Sequence, residues 1–575
     1  MPYWQKEHMV KKFFSFIVAM LILLTSVCTF LGCSKDNGLS TDPLTINVRV
    51  RNAGYGKTYI EKLAEQFNET FKEEGYAVNV VPAREDLVGD VVLREIYTNG
   101  GIDVYFTDGI TAQNAANHAE YGQTCADLTE LVYNKKAIKA DGSEEDKTVA
   151  EKLSLWDTSS LFYSGKVYGI PFAASFGVMG VNTKVLAGYD LEAPRTTNEM
   201  FYAAEKIMED ANDTNIFPFT YALSDNIYIM STINPWIAQY NGEDEFNKFW
   251  SFENTDGTAM TDEEISQVFG YESVREALEV VYQMSDYNMA APGSAVHEFK
   301  TAQSLIMKGD AVFYSVGDWM FNEEFYGFPS FLKDVTCVNP PLLSALGEKV
   351  FGPNTTYGYS LELADKILSA IAKYVDQGKL AKEVKPLVEE ELSVTLLLED
   401  VTTICERRGL TRCNVAPNVI VSEKSEKKDI AGLFLRFVAS TDGGKIFAAE
   451  SRTTYCYALD SVVESEYPWV NGQNIIANSK YFNPIQADIY GFGNRAEYGL
   501  TGIFPAPCMD SITVINDILE ENNGKGITRY NDKSLTILAG TENLYFDAAN
   551  AKCDAMVKAA KNALEKGANG GWSKK

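Results

Sequence analysis

Apolar positions change their spacing along the chain in a regular order. Thr45 to Val50 alternates and is rich in β-branched residues, which predicts a strand. From Tyr59 to Glu74 the apolar residues fall at Ile60, Leu63, Ala64, Phe67 and Phe71. Those spacings place them on one helix face, and Gly75 is a suitable stop. Tyr76, Val78 and Val80 alternate again as a second strand. A helix is predicted from Leu87 to Tyr97, and Ile102, Val104 and Phe106 make a third strand. Strand, helix, strand, helix, strand predicts a parallel sheet covered by helices.

A second unit begins after Pro171. Residues 178–183 read as a strand leaving the first unit. Thr196 and Glu199 form a capping-box pattern ahead of Met200, Ala203, Ala204 and Ile207. Val274, Ala277, Leu278 and Val281 stripe another helix, and Ala311 to Ser315 is a short apolar strand entering a turn at Gly317. Residues 358–412 are helical and charged, as expected of an insertion. Lys427 to Glu450 reads as a helix or helix pair interrupted at Asp442-Gly443-Gly444. Residues 457–535 are rich in Tyr, Asn, Gly and Pro with weak periodicity, and Ala548 to Lys566 predicts a closing helix.

The N-terminal pattern differs from all of these. Lys6, Lys11 and Lys12 precede an apolar run from Phe13 to Gly32 that stops at Cys33, and polar residues follow. A positive flank, a short apolar stretch and a small residue before a cut describe a secretory signal. Phe30-Leu31-Gly32-Cys33 resembles the lipobox of bacterial lipoproteins, with Phe30 where Leu is commoner. That resemblance implies acylation of Cys33 and a lipid tether outside the cell. The alternative is a retained membrane anchor, since the run approaches the ~20 residues a spanning helix needs. Met9 is an equally good start for the signal.

The chain has 575 residues, enough for two or more lobes. Its net charge of -28 repels phosphate backbones and argues against nucleic acid as a partner. Beyond Cys33 the cysteines are Cys125, Cys337, Cys405, Cys413, Cys456, Cys508 and Cys553, too sparse for a disulfide scaffold. Cys405 and Cys413 could pair or remain free thiols. Only His118 and His297 follow the leader, so no zinc site, histidine triad or other cofactor is expected. Gly443-Gly444-Lys445 lacks the rest of a nucleotide loop and reads as a turn between helices. Asp141 to Asp146 reads as a solvated loop.

Three segments together resemble the extracellular solute-binding proteins, family 1, that feed sugars to ABC importers. They are Gly165-Lys166-Val167-Tyr168-Gly169-Ile170-Pro171 with Val181-Asn182-Thr183-Lys184; Met307-Lys308-Gly309-Asp310-Ala311-Val312-Phe313 with Gly317-Asp318-Trp319; and Lys428 through Glu450. The resemblance covers residues 44–345 and 413–455. It implies an α/β, two-lobed periplasmic-binding-protein-like fold of type II. The signal would occupy 1–32 and the tether 33–43. Lobe 1 would take 44–172 and 413–457, and lobe 2 would take 173–357 and 458–575, with the insertion at 358–412. It further implies a monomer without covalent chemistry that captures a polar solute, an oligosaccharide first of all, and passes it to ABC permease subunits.

Within that frame the sequence offers candidate ligand contacts. Sugars present C–H faces to flat rings and hydroxyls to carboxylates. Trp319 matches a family position that often faces the cleft, and Asp318 beside it could accept hydrogen bonds from sugar hydroxyls. Trp236 precedes Tyr240-Asn241-Gly242, which looks like the family's helix end in lobe 2. Tyr55, Glu85 and Asp108 follow the first three strands, where a parallel sheet opens toward its ligand edge. Phe176 lies just past the hinge. The alternative classes of function are a secreted glycoside hydrolase, for which Asp318 with Glu323 or Glu324 supplies carboxylates, and a two-lobed adhesin.

Overall fold

The computed structural model describes residues 38–98, 100–153, 162–209, 215–222, 228–285 apart from 253, 255, 257 and 259, 289–413, 418–459, 462–486, 500 and 544–570. The leader, Cys33, Cys508 and most of the Tyr- and Asn-rich segment lie outside these residues.

The two main sheets use β1 (Thr45–Val50), β2 (Ala77–Val80), β3 (Val104–Thr107), β4 (Ile170–Pro171), β5 (Gly177–Asn182), β6 (Phe217–Thr220), β7 (Ala311–Gly317), β8 (Val335–Val338) and β9 (Asn418–Val421). The first sheet has the order β2-β1-β3-β9-β4. β1 runs parallel to β2 and β3, as the strand–helix repeat predicts, while the late strand β9 inserts antiparallel beside β3. The second sheet has the order β6-β7-β5-β8, with β5 antiparallel to both neighbours. The helix at Thr58–Thr70 buries Ile60, Leu63, Ala64 and Phe67, the stripe read from spacing. Burying each of the larger side chains, Ile60, Leu63 and Phe67, contributes about 1.5–3 kcal/mol.

The apolar interior divides in the same way as the sheets. One core joins residues from Ile46 to Ala173 with residues from Val419 to Tyr457. Another joins Met179 to Leu410 with the C-terminal helix Leu544–Gly570. The chain therefore crosses between lobes repeatedly, and the crossings lie side by side: Ala174 N–H donates to the Thr454 carbonyl at 2.9 Å.

Residues 358–412 form helices at Leu361–Asp376, Ala381–Leu392 and Leu398–Gly409. Their apolar faces, including Ile367, Ile371, Val388 and Ile404, merge into the second-lobe core. Arg408, 3% exposed, grips Asp376 through two hydrogen bonds of 3.0 and 2.9 Å and donates to the Pro340 carbonyl at 3.1 Å. The insertion is thus part of lobe 2 rather than an appendage.

Several sequence expectations change. Cys413 does not open the return to lobe 1. Leu410–Cys413 pairs with Asn483–Gln486, and Cys413 sits in a second-lobe core. The break between Lys428–Val438 and Thr441–Ser451 falls at Ser440, whose hydroxyl caps Gly443 N–H at 2.9 Å. Gly443 and Gly444 lie inside the helix instead of forming a turn. An added Cβ would come 2.5 Å from the Phe437 carbonyl or the Tyr455 ring, so close packing explains both glycines. Glu199 accepts from Arg195 N–H at 2.7 Å, one residue before the expected cap, while Thr196 Oγ1 accepts from Glu199 N–H at 3.2 Å. Cys405 and Cys413 are unpaired, and the described cysteines are buried free thiols. Asp141 caps the turn of a hairpin, accepting from Ser143 N–H at 2.9 Å, and Glu144–Thr148 is its second strand.

Candidate functional site

A cleft of about 580 Å³ opens between the lobes. Its size falls within the ~300–1,000 Å³ range of small-molecule sites. The first lobe supplies the loop from Arg51 to Thr58 and Glu85. The second supplies Phe299, Lys300, Asn322, Glu323, Glu324 and Tyr326.

Both walls arise at strand ends. The loop from Arg51 leaves the C-terminal end of β1, and Gly54 and Gly56 bend it at φ +56° and +69°. These left-handed conformations suit glycine because a Cβ there meets its own backbone. The opposite wall is the one-turn helix Met320–Glu324, which follows β7 after Gly317-Asp318-Trp319.

The two walls touch. Asn322 Nδ2 donates to the Gly54 carbonyl at 2.7 Å, and Gly54 N–H donates to Glu323 Oε1 at 3.2 Å. Arg452, at the end of a first-lobe helix, lies 3.6 Å over the Phe325 ring and donates to Asn322 Oδ1 at 3.5 Å. A cation held over a ring face contributes about 0.5–2 kcal/mol, depending on solvent exposure. This seam combines backbone and polar groups with the Trp319 ring, which packs against the cores of both lobes.

The candidates read from sequence separate into three groups. Tyr55 and Glu85 line the cleft. Tyr55 is 8% exposed and meets Phe172 edge-on at 5.9 Å. Burial, with the nearby Asp318 charge, pushes its phenol well above the ordinary range. Trp319 and Asp108 lie beside the cleft. Trp319 is half-buried, 6.5 Å from Tyr55 and 6.3 Å from Tyr228 by ring centroid, and packs against the cores of both lobes. Its indole lies flat on Gly317, where an added Cβ would fall 2.2 Å from the ring. Asp108 pairs with Arg51 and so fixes one cleft residue. Burial raises the Asp108 pKa, while the Arg51 guanidinium opposes that rise.

Trp236, Phe176 and Asp318 form the third group, and each is fully buried away from the cleft lining. The helix Met230–Asn241 is enclosed on nearly every face, and the Trp236 indole N–H donates to the Pro341 carbonyl at 2.9 Å. Phe176 packs against Phe482 in the second-lobe interior. Asp318 turns its carboxylate inward, where neither oxygen has a hydrogen-bond partner. Burial raises its pKa well above the usual carboxylate range, against weaker lowering by nearby backbone N–H groups. Its carbonyl is held by Trp469 Nε1 at 3.0 Å and Gln473 Nε2 at 2.9 Å, which makes it a fastening of the crossing region.

Asn322, Glu323, Glu324, Phe299, Lys300, Tyr326 and Gly54 were not singled out as ligand contacts. The strand-end argument that found Tyr55 would also have found 322–326, because they follow β7 at the corresponding edge of the second sheet. Among them, burial raises the Glu323 pKa to about 7, and Gly54 N–H and Gln303 lower it only in part.

The family model described as bacterial extracellular solute-binding protein matches residues 62–357. A search of curated proteins finds no match to the sequence. Among solved structures, a chitin oligosaccharide binding protein is similar at 12% identity and TM-score 0.50, over 91% of this chain and 99% of that one. The GacH receptor of Streptomyces glaucescens is similar at 14% identity and TM-score 0.50, over 91% and 98%. RafE from Streptococcus pneumoniae, in its apo form, is similar at 12% identity and TM-score 0.50, over 89% and 98%. These likenesses establish a shared fold, the two-lobed type II arrangement. With the family match spanning more than half of its length, this chain belongs to the bacterial extracellular solute-binding proteins.

Proposed function

We propose that the protein is a receptor that captures an oligosaccharide between its lobes and delivers it to the permease of an ABC importer. The observation that carries this reading is a cleft walled by both lobes, with rings and hydrogen-bonding groups on its two sides. A solute that touches both walls binds the closed form better and shifts the population toward it. The permease would then recognise the closed shape. The sugar-binding relatives of the same fold support the choice of solute.

The lipobox-like Phe30-Leu31-Gly32-Cys33 supports tethering through an acylated Cys33. A tether keeps the receptor at high effective concentration beside its permease. Among the described residues no helix is long and apolar enough to cross a membrane. Cys33→Ser should release the protein from the membrane fraction; full retention of the variant would favour an uncleaved anchor.

The direct test is a thermal-shift panel of oligosaccharides with product analysis by chromatography. Capture predicts a rise in melting temperature with the sugar recovered intact. Cleavage products would instead favour a hydrolase using Glu323 or Glu324.

A further inference from the structure

The charges around the cleft do not balance. Arg51 is occupied by Asp108, and Lys57 Nζ by Glu61 Oε1 at 3.1 Å, both within the first lobe. Glu85, Glu323 and Glu324 then face Lys300 alone among the lining residues. Glu323 is engaged through Gly54 N–H and through Gln303 Nε2, which donates to its other oxygen at 2.8 Å.

Glu324 is different. It lines the cleft and is only 8% exposed. Among the described residues its carboxylate accepts no hydrogen bond and makes no ion pair. Burial raises its pKa, and the Lys300 charge is what opposes that rise. Lys300 itself is exposed and makes no ion pair among the described residues. A carboxylate set in the cleft wall without a donor is only partly compensated by one exposed lysine, and a cationic group brought by the solute completes its pairing. Phe299 and the 74% exposed Tyr326 add ring faces to the same wall, and such faces attract cations as well as sugar C–H groups.

We infer that the cleft selects a saccharide bearing a protonated amine, whose ammonium group pairs with Glu324 on the second-lobe wall. This rests on the reading of the cleft as the solute site. Saccharides carrying carboxylates or phosphates meet the uncompensated acids and are disfavoured. Neutral sugars fill the same space but add no charge to the partial compensation that Lys300 gives Glu324.

Calorimetric titration of the full chain at pH 6.5 separates these cases. The ligands are short glucosamine oligomers, their N-acetylated counterparts and galacturonate oligomers of equal length. The amine-bearing series should bind at least tenfold tighter than the acetylated series, and the uronates weakest. Raising the salt to 0.5 M should shrink that preference. Glu324→Gln keeps the side-chain shape and should abolish the preference, so that the amine-bearing and acetylated series bind within about twofold of each other. Equal or tighter binding of the acetylated or uronate series would overturn the inference and leave the saccharide site standing. A preference that survives in Glu324→Gln would overturn the role of that residue. Absence of binding in all three series would overturn both this inference and the cleft as a saccharide site.

Discussion

The two walls of the cleft are made of different material. The first-lobe wall is a glycine-bent loop that offers backbone N–H and carbonyl groups at Gly54 and a single ring, Tyr55. The second-lobe wall is one turn of helix that offers side chains: Asn322, Glu323 and Glu324. Both walls carry charge, Arg51, Lys57 and Glu85 on the first and Lys300, Glu323 and Glu324 on the second, but they differ in what they offer at the seam. Where the lobes meet, the side chains of the second reach the backbone of the first. Under the proposed function, closure would depend on the path of one short loop, and selectivity on which side chains the short helix carries.

The largest effect should come from altering the loop. Gly54→Val forces a β-branched residue into a left-handed conformation and places side-chain atoms against Trp319, 3.6 Å from the site of the new Cβ. Solute affinity measured by calorimetry should fall more than tenfold, while the second lobe keeps its fold by circular dichroism. Unchanged affinity would mean that the loop does not set closure.

Trp319→Ala comes next. The indole joins the two cores, so its loss should cost a few kcal/mol of stability by analogy with buried aromatic truncations of ~3–5 kcal/mol. It should weaken solute binding more than it destabilises the fold. A variant that loses melting temperature but keeps full affinity would confine Trp319 to packing.

Asn322→Ala removes one interlobe hydrogen bond, worth about 0.5–1.5 kcal/mol. Small-angle scattering of the free protein should then show a modestly larger radius of gyration. No change in solution shape would show that this bond does not hold the seam.

The smallest effect is on pH dependence. Burial raises the Asp365 pKa to about 7 in the second-lobe core and the Glu323 pKa to about 7 at the seam. Both values exceed those of the unfolded chain. The folded state thus holds more protons between pH 4 and 7, and the stability these groups contribute is full at low pH and lost as pH rises toward 7. Asp365→Asn should therefore flatten the pH dependence of melting temperature over that window. Glu323→Gln should flatten it less, because Glu323 borders the open cleft. An unaltered slope in both variants would contradict the shifted values.

Much of the fold was legible because periodicity reports burial directly. The stripe Ile60, Leu63, Ala64 and Phe67 and the alternating strands of the first sheet obey local spacing, and they stand in the fold where that spacing puts them. Position after a strand likewise found Tyr55 and Glu85. The likeness to a family helix end misplaced Trp236, whose aromatic character is equally suited to a core, and nearness to the hinge and to Trp319 misplaced Phe176 and Asp318, whose side chains turn inward. Periodicity also could not foresee that Gly443 and Gly444 lie within a helix, because the cause is a carbonyl and a ring brought from elsewhere.

The sequence by itself determined the strand and helix order, the acidic character, the scarcity of histidine and the family resemblance, since each is a property of local composition or spacing. Only the tertiary structure decided that Asn322, Glu323 and Glu324 face Gly54 across a cleft, that the 358–412 helices complete the second-lobe core, and that Asp318 is sealed away. Those outcomes depend on contacts between residues hundreds of positions apart, and no local pattern encodes the distance between them.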